Sequence, residues 1–196
     1  MLAATVLNAQ DNKFGLGLKI GTNYSNVYDE QGQDFNADAK FGLAAGGFLT
    51  VPIGSYLGVQ QEVLFSQKGF KATGTLLGSP YKFTRTTNYI DVPLFLAIRP
   101  APMVSILVGP QFSYLLRQKD DFDAGGASVL QEQEFENDDL RKNLVSFVGG
   151  LDFNLQHFTV GARAGWDFKN NNGDGTSTTP RYKNAWVQGT VGFRIY

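Results

Sequence analysis

The sequence predicts an all-β fold, namely an eight-stranded antiparallel up-and-down transmembrane β-barrel with short periplasmic turns and long extracellular loops. Three observations support this prediction. About eight segments alternate apolar with polar residues, which is the period of a β-strand. The connections between them are alternately short and long, as in a meander whose turns all lie at one end. No apolar run approaches the roughly 18 residues of a membrane-spanning helix.

Length and composition indicate one domain and exclude several kinds of functional site. The chain has 196 residues, a formal net charge of −1 and no cysteine. The lack of cysteine excludes thiol catalysis, disulfides and cysteine-ligated zinc. Because the net charge is close to zero, the protein has no overall positive electrostatic field that would attract nucleic acid. We expect a single barrel domain over residues 11–196. Residues 1–10 hold a short apolar run followed by Ala9, which predicts a signal-peptide remnant or a disordered N-terminus.

The predicted strands are long enough to cross a bilayer when tilted, which requires about 9–11 residues. They run over Phe14–Tyr28, Phe41–Val51, Tyr56–Phe70, Thr84–Arg99, Val104–Arg117, Leu144–Leu155, Phe158–Phe168 and Asn184–Tyr196. The turns PIGS, PAPM and QH are short, whereas the connections around 29–40, 71–83, 118–143 and 169–183 are long and polar. This alternation places all long loops at the extracellular end.

Each strand has one apolar and one polar face. In the first strand, Leu16, Leu18 and Ile20 alternate with glycine and Lys19. The polar face is rich in glycine and carries few, nearly balanced charges, which favours the packed lumen of a small barrel over a solvated surface. The predicted lumen ion-pair network consists of Lys19, Glu62, Asp91, Arg99, Asp152, Arg163, Asp167 and Arg194. A sandwich with one solvated face and a soluble, lipocalin-like barrel with an apolar interior remain alternatives.

Aromatic residues near the strand ends predict interfacial girdles. These residues are Tyr24, Tyr56, Phe70, Tyr114, Trp166 and Phe168.

The fourth strand contains a proline, which a closed barrel cannot place on an edge. In NYIDVPLFLAIRP, the apolar residues from Ile90 to Ile98 are expected to face lipid, and Asp91 and Arg99 to face the lumen. If Ile98 pairs with Val104, Pro93 lies opposite Gly109 and Val92 opposite Pro110. We therefore expect a bulge or missing hydrogen bonds at this place, satisfied by polar lumen groups or water.

Five pieces of the chain, in order, carry a resemblance to the PorT-like outer-membrane β-barrel family of Gram-negative bacteria. They are GLKIGTNYSN, QQEVLFSQKGF, YIDVPLFLAI, VGPQFSYLL and the terminal VGFRIY. The resemblance implies an eight-stranded barrel, a cleaved signal peptide and insertion by the barrel-assembly machinery through recognition of the last strand. It brings no catalytic residues, and it connects the chain weakly with envelope and secretion assemblies.

The candidate catalytic and cation-binding sites in the sequence have simpler interpretations. The only histidine, His157, lies in the turn QH, so a Ser–His–acid set is not supported. The acidic connection 118–143 could hold a cation or bridge lipopolysaccharide through Asp120, Asp121, Asp123, Asp138 and Asp139, although a solvated loop is the simpler interpretation. The stretch NNNGDGTSTTPR starts like a calcium loop but has Arg181 where a bidentate glutamate belongs. No cofactor or metal is expected.

These observations predict a non-enzymatic integral protein of the cell outer membrane with a filled, charge-paired lumen. We expect it to be a monomer that contacts outer-membrane lipid and lipopolysaccharide, and to act through its extracellular loops or within an envelope or secretion assembly. The alternative is the soluble carrier of an apolar ligand. A membrane-embedded enzyme acting on lipid is a third reading, which the lack of a histidine base in the wall disfavours.

Overall fold

The computed structural model describes residues 14–28, 36–76, 79–124, 127–133, 142–171 and 181–195. The predictions for residues 1–10, for Asp138 and Asp139, and for most of the calcium-like stretch lie outside these residues. The strands are β1 Gly15–Tyr28, β2 Asn36–Pro52, β3 Leu57–Leu76, β4 Ser79–Ala101, β5 Val104–Ala124, β6 Ala127–Gln133, β7 Asn143–Leu155, β8 Phe158–Asp167 and β9 Lys183–Arg194.

Eight of these strands form a closed antiparallel ring, which confirms the predicted barrel. Neighbouring strands pair in chain order, with β5 followed directly by β7, and the ring closes where β1 pairs with β9 from Gly17↔Arg194 to Tyr28↔Lys183. A closed ring has no sandwich edges, so the sandwich alternative is wrong. Among the described residues, the structure contains no helix that is long and apolar enough to cross a membrane.

The barrel wall continues beyond the predicted strands on the long-loop side. Strands β3, β4 and β5 reach Leu76, Ser79 and Ala124, where the sequence predicted loops. Among the described strands, β6 pairs only with β5, from Ala124↔Ala127 to Gln118↔Gln133. It takes the position beside β5 that β7 occupies lower in the ring. We call this part of β3 to β6 the extracellular extension. Where the structure describes its side chains, the outward face of this extension is polar, as in Lys71 and Lys82, and so lacks the apolar alternation used to recognise strands.

The polarity of the barrel is reversed relative to a soluble protein. Outward side chains such as Leu18 and Val191 are 61% and 51% exposed, whereas Glu62 and Lys19 inside the ring are 0% and 4% exposed. Since apolar side chains surround the wall and charges fill the interior, the wall suits lipid and the interior does not suit an apolar ligand. The alternative of a soluble carrier is therefore unsupported.

Aromatic side chains are exposed towards both ends of the lipid-facing band. Tyr24, Phe41, Tyr114 and Trp166 are exposed near the extracellular side, and Tyr56 is exposed at a short turn. The prediction for Phe70 is wrong, because its side chain is 1% exposed and packs inside against Tyr182. Phe70 lies two residues after Lys68 and therefore shares its inward face.

The predicted register of β4 and β5 is also wrong. Ile98 pairs with Ile106 rather than Val104, because the turn at Pro102 and Met103 is tight and follows an irregularity between Ile98 and Ala101. Pro93 therefore lies opposite Gln111.

The wall is nevertheless irregular at Pro93, without a bulge there. Pairing of β3 with β4 is interrupted between Gln61↔Leu94 and Leu64↔Asp91, and the register is the same on both sides. The Pro93 carbonyl accepts a hydrogen bond from Gln61 Nε2 at 2.9 Å. A side-chain amide, on the outward face rather than in the lumen, thus replaces part of the backbone ladder that proline interrupts.

Candidate functional site

The lumen holds a cluster of four charges, two of each sign, which we call the lower cluster: Lys19 on β1, Glu62 on β3, Asp152 on β7 and Arg163 on β8. Glu62 Oε1 lies 2.8 Å from Lys19 Nζ and 2.8 Å from Arg163 Nη2. Arg163 Nη2 also lies 3.2 Å from Asp152 Oδ2. The four side chains come from four strands, so the cluster ties opposite walls of the barrel together.

Polar and aromatic neighbours complete the lower cluster. Gln60 Nε2 donates to Glu62 at 2.7 Å and to Asp152 at 3.3 Å. The Arg163 guanidinium lies 5.4 Å from the centre of the Phe95 ring, and Lys19 Nζ lies 4.9 Å from that of Phe48. Buried charges are tolerable only when they are paired and hydrogen-bonded, and each of the four has an opposite charge within 3.2 Å. Among the described residues, however, Glu62 Oε2 and Arg163 Nε have no hydrogen-bond partner.

Glycine makes room for this cluster on β8. A Cβ atom at Gly161 would come within 2.3 Å of Asp152 Oδ1 and 2.7 Å of Thr190 Oγ1. The glycines that alternate with charged residues on the polar face therefore let side chains from other strands cross the lumen.

A second ion pair lies nearer the extracellular side. Lys68 Nζ lies 2.9 Å from Asp91 Oδ2, and both side chains are almost fully buried. The same ammonium lies 3.8 Å from the Trp186 ring centre and 5.1 Å from that of Tyr89, both within cation–π range. Lys68 was not included in the predicted network. Lys68 could have been identified as a lumen residue from the sequence, because it lies on the same polar face of the strand as Glu62.

Asp167 forms hydrogen bonds instead of an ion pair among the described residues. It accepts from Ser146 Oγ at 2.6 Å and from Asn184 Nδ2 at 2.6 Å. The carboxylate is thus held by neutral donors on the neighbouring strands β7 and β9.

A third group lies at the extracellular end of the lumen. Arg85 on β4 binds Asp120 on β5 through two hydrogen bonds of 2.8 and 2.6 Å, a bidentate geometry. The guanidinium also lies within 6.0 Å of the centres of three rings, Phe70, Phe83 and Tyr182. Sequence analysis missed this group, since Arg85 and Tyr182 lay at the margins of predicted loops.

Arg99 and Arg194 lie at the periplasmic end, away from the predicted acidic partners. Arg194 Nη2 donates to Asn154 Oδ1 at 3.2 Å, and Arg99 Nη2 lies beside Gly58. Among the described residues, no carboxylate oxygen lies within 4.0 Å of either guanidinium. The structure thus brings together four of the eight predicted residues, joins Asp91 to an unforeseen partner and separates the other three.

The remaining candidates that the structure describes do not come together in one site. Asp120 forms an ion pair with Arg85. Asp121 lies 3.6 Å from Lys119 in an exposed ion pair, and Asp123 is exposed. Among the residues that the structure describes, no group of three His, Asp or Glu side chains is arranged to hold a metal ion. His157 is exposed in the two-residue turn after β7, where Gln156 adopts a φ of 41°.

The arrangement is one of mutual neutralisation. Each carboxylate of the three ion-paired groups has a cation within 3.2 Å. The acids and bases lie among packed side chains such as Phe95 and Leu107. Charges that neutralise one another across the lumen hold the wall in shape and fill the interior, as in small eight-stranded barrels.

Comparison with known proteins agrees with this architecture. Residues 8–173 match the family described as outer membrane protein beta-barrel domain. No curated protein is significantly similar to the sequence. Among solved structures, Ail, the attachment invasion locus protein of Yersinia pestis, is 18% identical with a TM-score of 0.51, and the match covers 93% of this chain and 99% of that chain. Neisserial surface protein A is 11% identical with a TM-score of 0.51, covering 92% and 97%.

At these identities the solved structures show the fold alone, whereas the family match covers most of the sequence. Together with the apolar outer wall and the charge-paired lumen, it places the protein in the outer membrane of the Gram-negative cell, in contact with its lipid. The chain belongs to the outer membrane protein β-barrel domain family.

Proposed function

We propose that this barrel is a non-enzymatic, monomeric anchor that presents its extracellular extension and loops to a partner in the cell envelope or outside the cell. The observation that carries this proposal is the contrast between its two parts. The lumen is filled by ion pairs that cross from wall to wall, whereas β3, β4 and β5 continue beyond the lipid-facing band. A filled lumen leaves the projecting surface as the part available to act.

The finer family assignment is part of this proposal. The five sequence pieces that resemble the PorT-like family favour membership in that branch, and with it a role in an envelope or secretion assembly. We further propose that the barrel-assembly machinery inserts the chain by recognising β9, whose outward residues Val187, Val191 and Phe193 are about half exposed. Lipopolysaccharide would surround the outer half of the wall. Residues 1–10 would be removed, leaving residues 11–196 as one domain.

Crosslinking in intact cells tests where the partner binds. A photoreactive residue would replace Lys82 or Lys119, which are exposed on the extension, and in a matched control it would replace His157 at the opposite end. We expect a discrete crosslinked species from the extension only. Products from His157 alone would overturn the proposal, because they would place the interaction in the periplasm.

Conductance measurements test the role of the filled lumen. In planar bilayers we expect no stable channel from the native barrel, because the lower cluster spans the lumen. A barrel with Lys19, Glu62 and Arg163 all replaced by serine loses the bulk and the charges of that cluster, so it should conduct. Steady channels from the native protein would contradict an anchoring role and favour solute passage.

A further inference from the structure

Two arginines point into the lumen at its periplasmic mouth, which we define by the inward side chains of Arg99 and Arg194. Arg99 lies two residues before the end of β4, and Arg194 is the last residue of β9. Both continue the inward face of their strands, Arg99 after the buried Ala97 and Arg194 after the buried Gly192. Three strands of the ring separate β4 from β9 on either side, so the two arginines approach from opposite walls.

The two guanidinium groups are close enough to influence each other. Arg99 Nη2 lies beside Gly58 on β3, where an added Cβ would come within 3.4 Å of it. Arg194 Nε lies 3.4 Å from the place of a Cβ on Gly15 of β1. Strands β1 and β3 flank β2, so both side chains lean towards one side of the mouth. The charged group that acts on Arg99 there is Arg194, a like charge.

Neither guanidinium is neutralised by a described residue. Deeper in the lumen, Lys19, Lys68 and Arg163 each have a carboxylate oxygen within 2.9 Å. By contrast, no carboxylate oxygen of the described residues lies within 4.0 Å of Arg99 or Arg194. Two like charges held near each other without a counter-charge raise the free energy of this end of the barrel, and an anion between them lowers it.

The described turns around the mouth carry no acidic side chain. They comprise residues 52–56, 100–103 and 156–157, which contain no Asp or Glu. On β7, the inward position next to the mouth is Asn154, two residues after Asp152 of the lower cluster. Arg194 Nη2 donates to the Asn154 side-chain oxygen at 3.2 Å, so it meets a neutral amide there rather than a carboxylate. The described part of this end therefore carries a net positive charge.

The described residues satisfy few of the N–H donors of the two arginines. A guanidinium has five such donors in one plane. Arg194 donates to Asn154, while its Nε has no hydrogen-bond partner among the described residues. Arg99 is fixed through its backbone, whose N–H donates to the Tyr56 carbonyl at 2.8 Å. The two side chains thus retain donors for a ligand with several oxygens.

The chemistry of the mouth suits a small, doubly charged oxyanion. A planar guanidinium binds two oxygens of a phosphate side by side, and two arginines supply the charge that one dianion balances. The lower cluster spans the lumen above the mouth, which admits a small anion but not a chain that passes through. We propose that the periplasmic mouth binds one soluble phosphate dianion between Arg99 and Arg194, as inorganic phosphate or as a phosphate monoester.

This inference goes beyond the proposed function, because it concerns the opposite end of the barrel. A small anion gives no crosslinked protein at His157. The crosslinking result and the phosphate result can therefore fail separately.

Phosphorus NMR measures the binding directly. Inorganic phosphate is titrated at constant ionic strength into the folded barrel in nonionic detergent, at about pH 8, where phosphate is largely a dianion. We expect saturable broadening of the phosphate resonance with the native protein. Arg99→Gln and Arg194→Gln should each raise the half-saturating concentration about tenfold, because each removes charge-assisted hydrogen bonds. Lys82→Gln removes the same charge from the extracellular extension and should bind as the native protein does.

Urea unfolding gives a second readout that does not depend on the resonance. A ligand that binds only the folded state stabilises that state, so phosphate should raise the urea midpoint of the native barrel above its value in chloride of equal ionic strength. The midpoint of Arg99→Gln should not respond to phosphate. In chloride this variant should be at least as stable as the native barrel, because the substitution removes a repulsion, and heat-modifiable migration on a gel verifies that it is folded.

A further comparison distinguishes a soluble phosphate from a lipid headgroup. In phosphatidylcholine vesicles, glycerol phosphate should raise the urea midpoint of the native barrel as inorganic phosphate does. Stabilisation by phosphatidic acid in the vesicle, without stabilisation by either soluble anion, would assign the ligand to the membrane surface and overturn the proposal. Broadening that does not saturate with the native barrel, or equal half-saturation in the native protein and both glutamine variants, would also overturn it.

Discussion

The Lys68 ammonium lies 2.9 Å from the Asp91 carboxylate, although the two residues are not opposite each other in the sheet. Lys68 pairs with Thr87 and Asp91 pairs with Leu64, so the lysine side chain reaches four residues down the neighbouring strand. Such a diagonal contact spans two successive inward positions. It joins two levels of the lumen and brings the ammonium beneath the Trp186 ring.

Replacing Lys68 by methionine should therefore destabilise the barrel strongly. The substitution keeps most of the side-chain volume but leaves Asp91 charged, buried and without its cation. Breaking a buried pair in this way costs about 3–5 kcal/mol in the free energy of unfolding. Urea unfolding of the protein in lipid vesicles, followed by gel migration, measures the change.

The matched control for this pair removes both charges. Lys68→Met combined with Asp91→Leu should recover most of the lost stability, because no isolated charge remains. If the double variant were as unstable as the single one, packing around Lys68 rather than its pairing would account for the loss.

The lower cluster should depend most on the charge of Glu62. Glu62→Gln preserves the shape but leaves Lys19 and Arg163 with Asp152 as the one carboxylate within 4.0 Å among the described residues. We therefore expect a loss of about 3–5 kcal/mol in unfolding free energy. Asp121→Asn is the control, because its pair with Lys119 is about half exposed and exposed pairs contribute about 0–1 kcal/mol. Equal effects of the two substitutions would contradict the assigned role.

The outward-facing Gln61 should contribute to the stability of the barrel only because of Pro93. Gln61→Leu removes the 2.9 Å hydrogen bond to the Pro93 carbonyl and should cost about 1–2 kcal/mol, even though leucine suits a lipid-facing surface better. Pro93→Val restores a backbone N–H on the same strand edge. In that background Gln61→Leu should be nearly neutral or stabilising. A double-mutant cycle without measurable coupling would argue against this explanation.

The extracellular end should loosen when Asp120 is neutralised. Asp120→Asn removes the bidentate contact with Arg85, which holds β4 to β5 above the lipid. We expect faster cleavage within residues 118–143 when intact cells are treated with protease. Asp123→Asn changes the charge of the same connection at an exposed position and should leave the cleavage rate unchanged. Equal protection of both variants would show that Arg85 is not needed there.

The faces of the strands could be predicted because lipid imposes a simple rule on them. Leu16, Leu18 and Ile20 must face hydrocarbon, so their alternation with Lys19 defines inside and outside once the lumen has been assigned. This rule does not apply to the part of the barrel that lies above the lipid. Lys71, Lys82 and Lys119 face water on strands of the extension, where a strand and a polar loop have similar composition.

Individual contacts in the lumen were harder to predict, because they depend on register. The register of β4 and β5 depends on a two-residue turn and an irregularity near Ile98, neither of which alternation reveals. Lys68 and Asp91 meet diagonally, and Asp167 is satisfied by Ser146 and Asn184 rather than by a cation. The alternation of residues along a strand shows that a charged side chain faces the lumen, but it does not show which residue is its partner.

The placement of the lower cluster on β1, β3, β7 and β8 has a consequence for biogenesis. Lys19 belongs to the first strand of the ring, and Arg163 to the strand before the last. Lys19 and Glu62 form one ion pair within the first three strands, and Asp152 and Arg163 form another between β7 and β8, so each half of the sheet is neutral on its own. The 2.8 Å contact between Arg163 and Glu62 joins the two halves, and it requires early and late strands to be in the same ring. Ring closure is therefore also the step that converts two local ion pairs into one cluster of four charges.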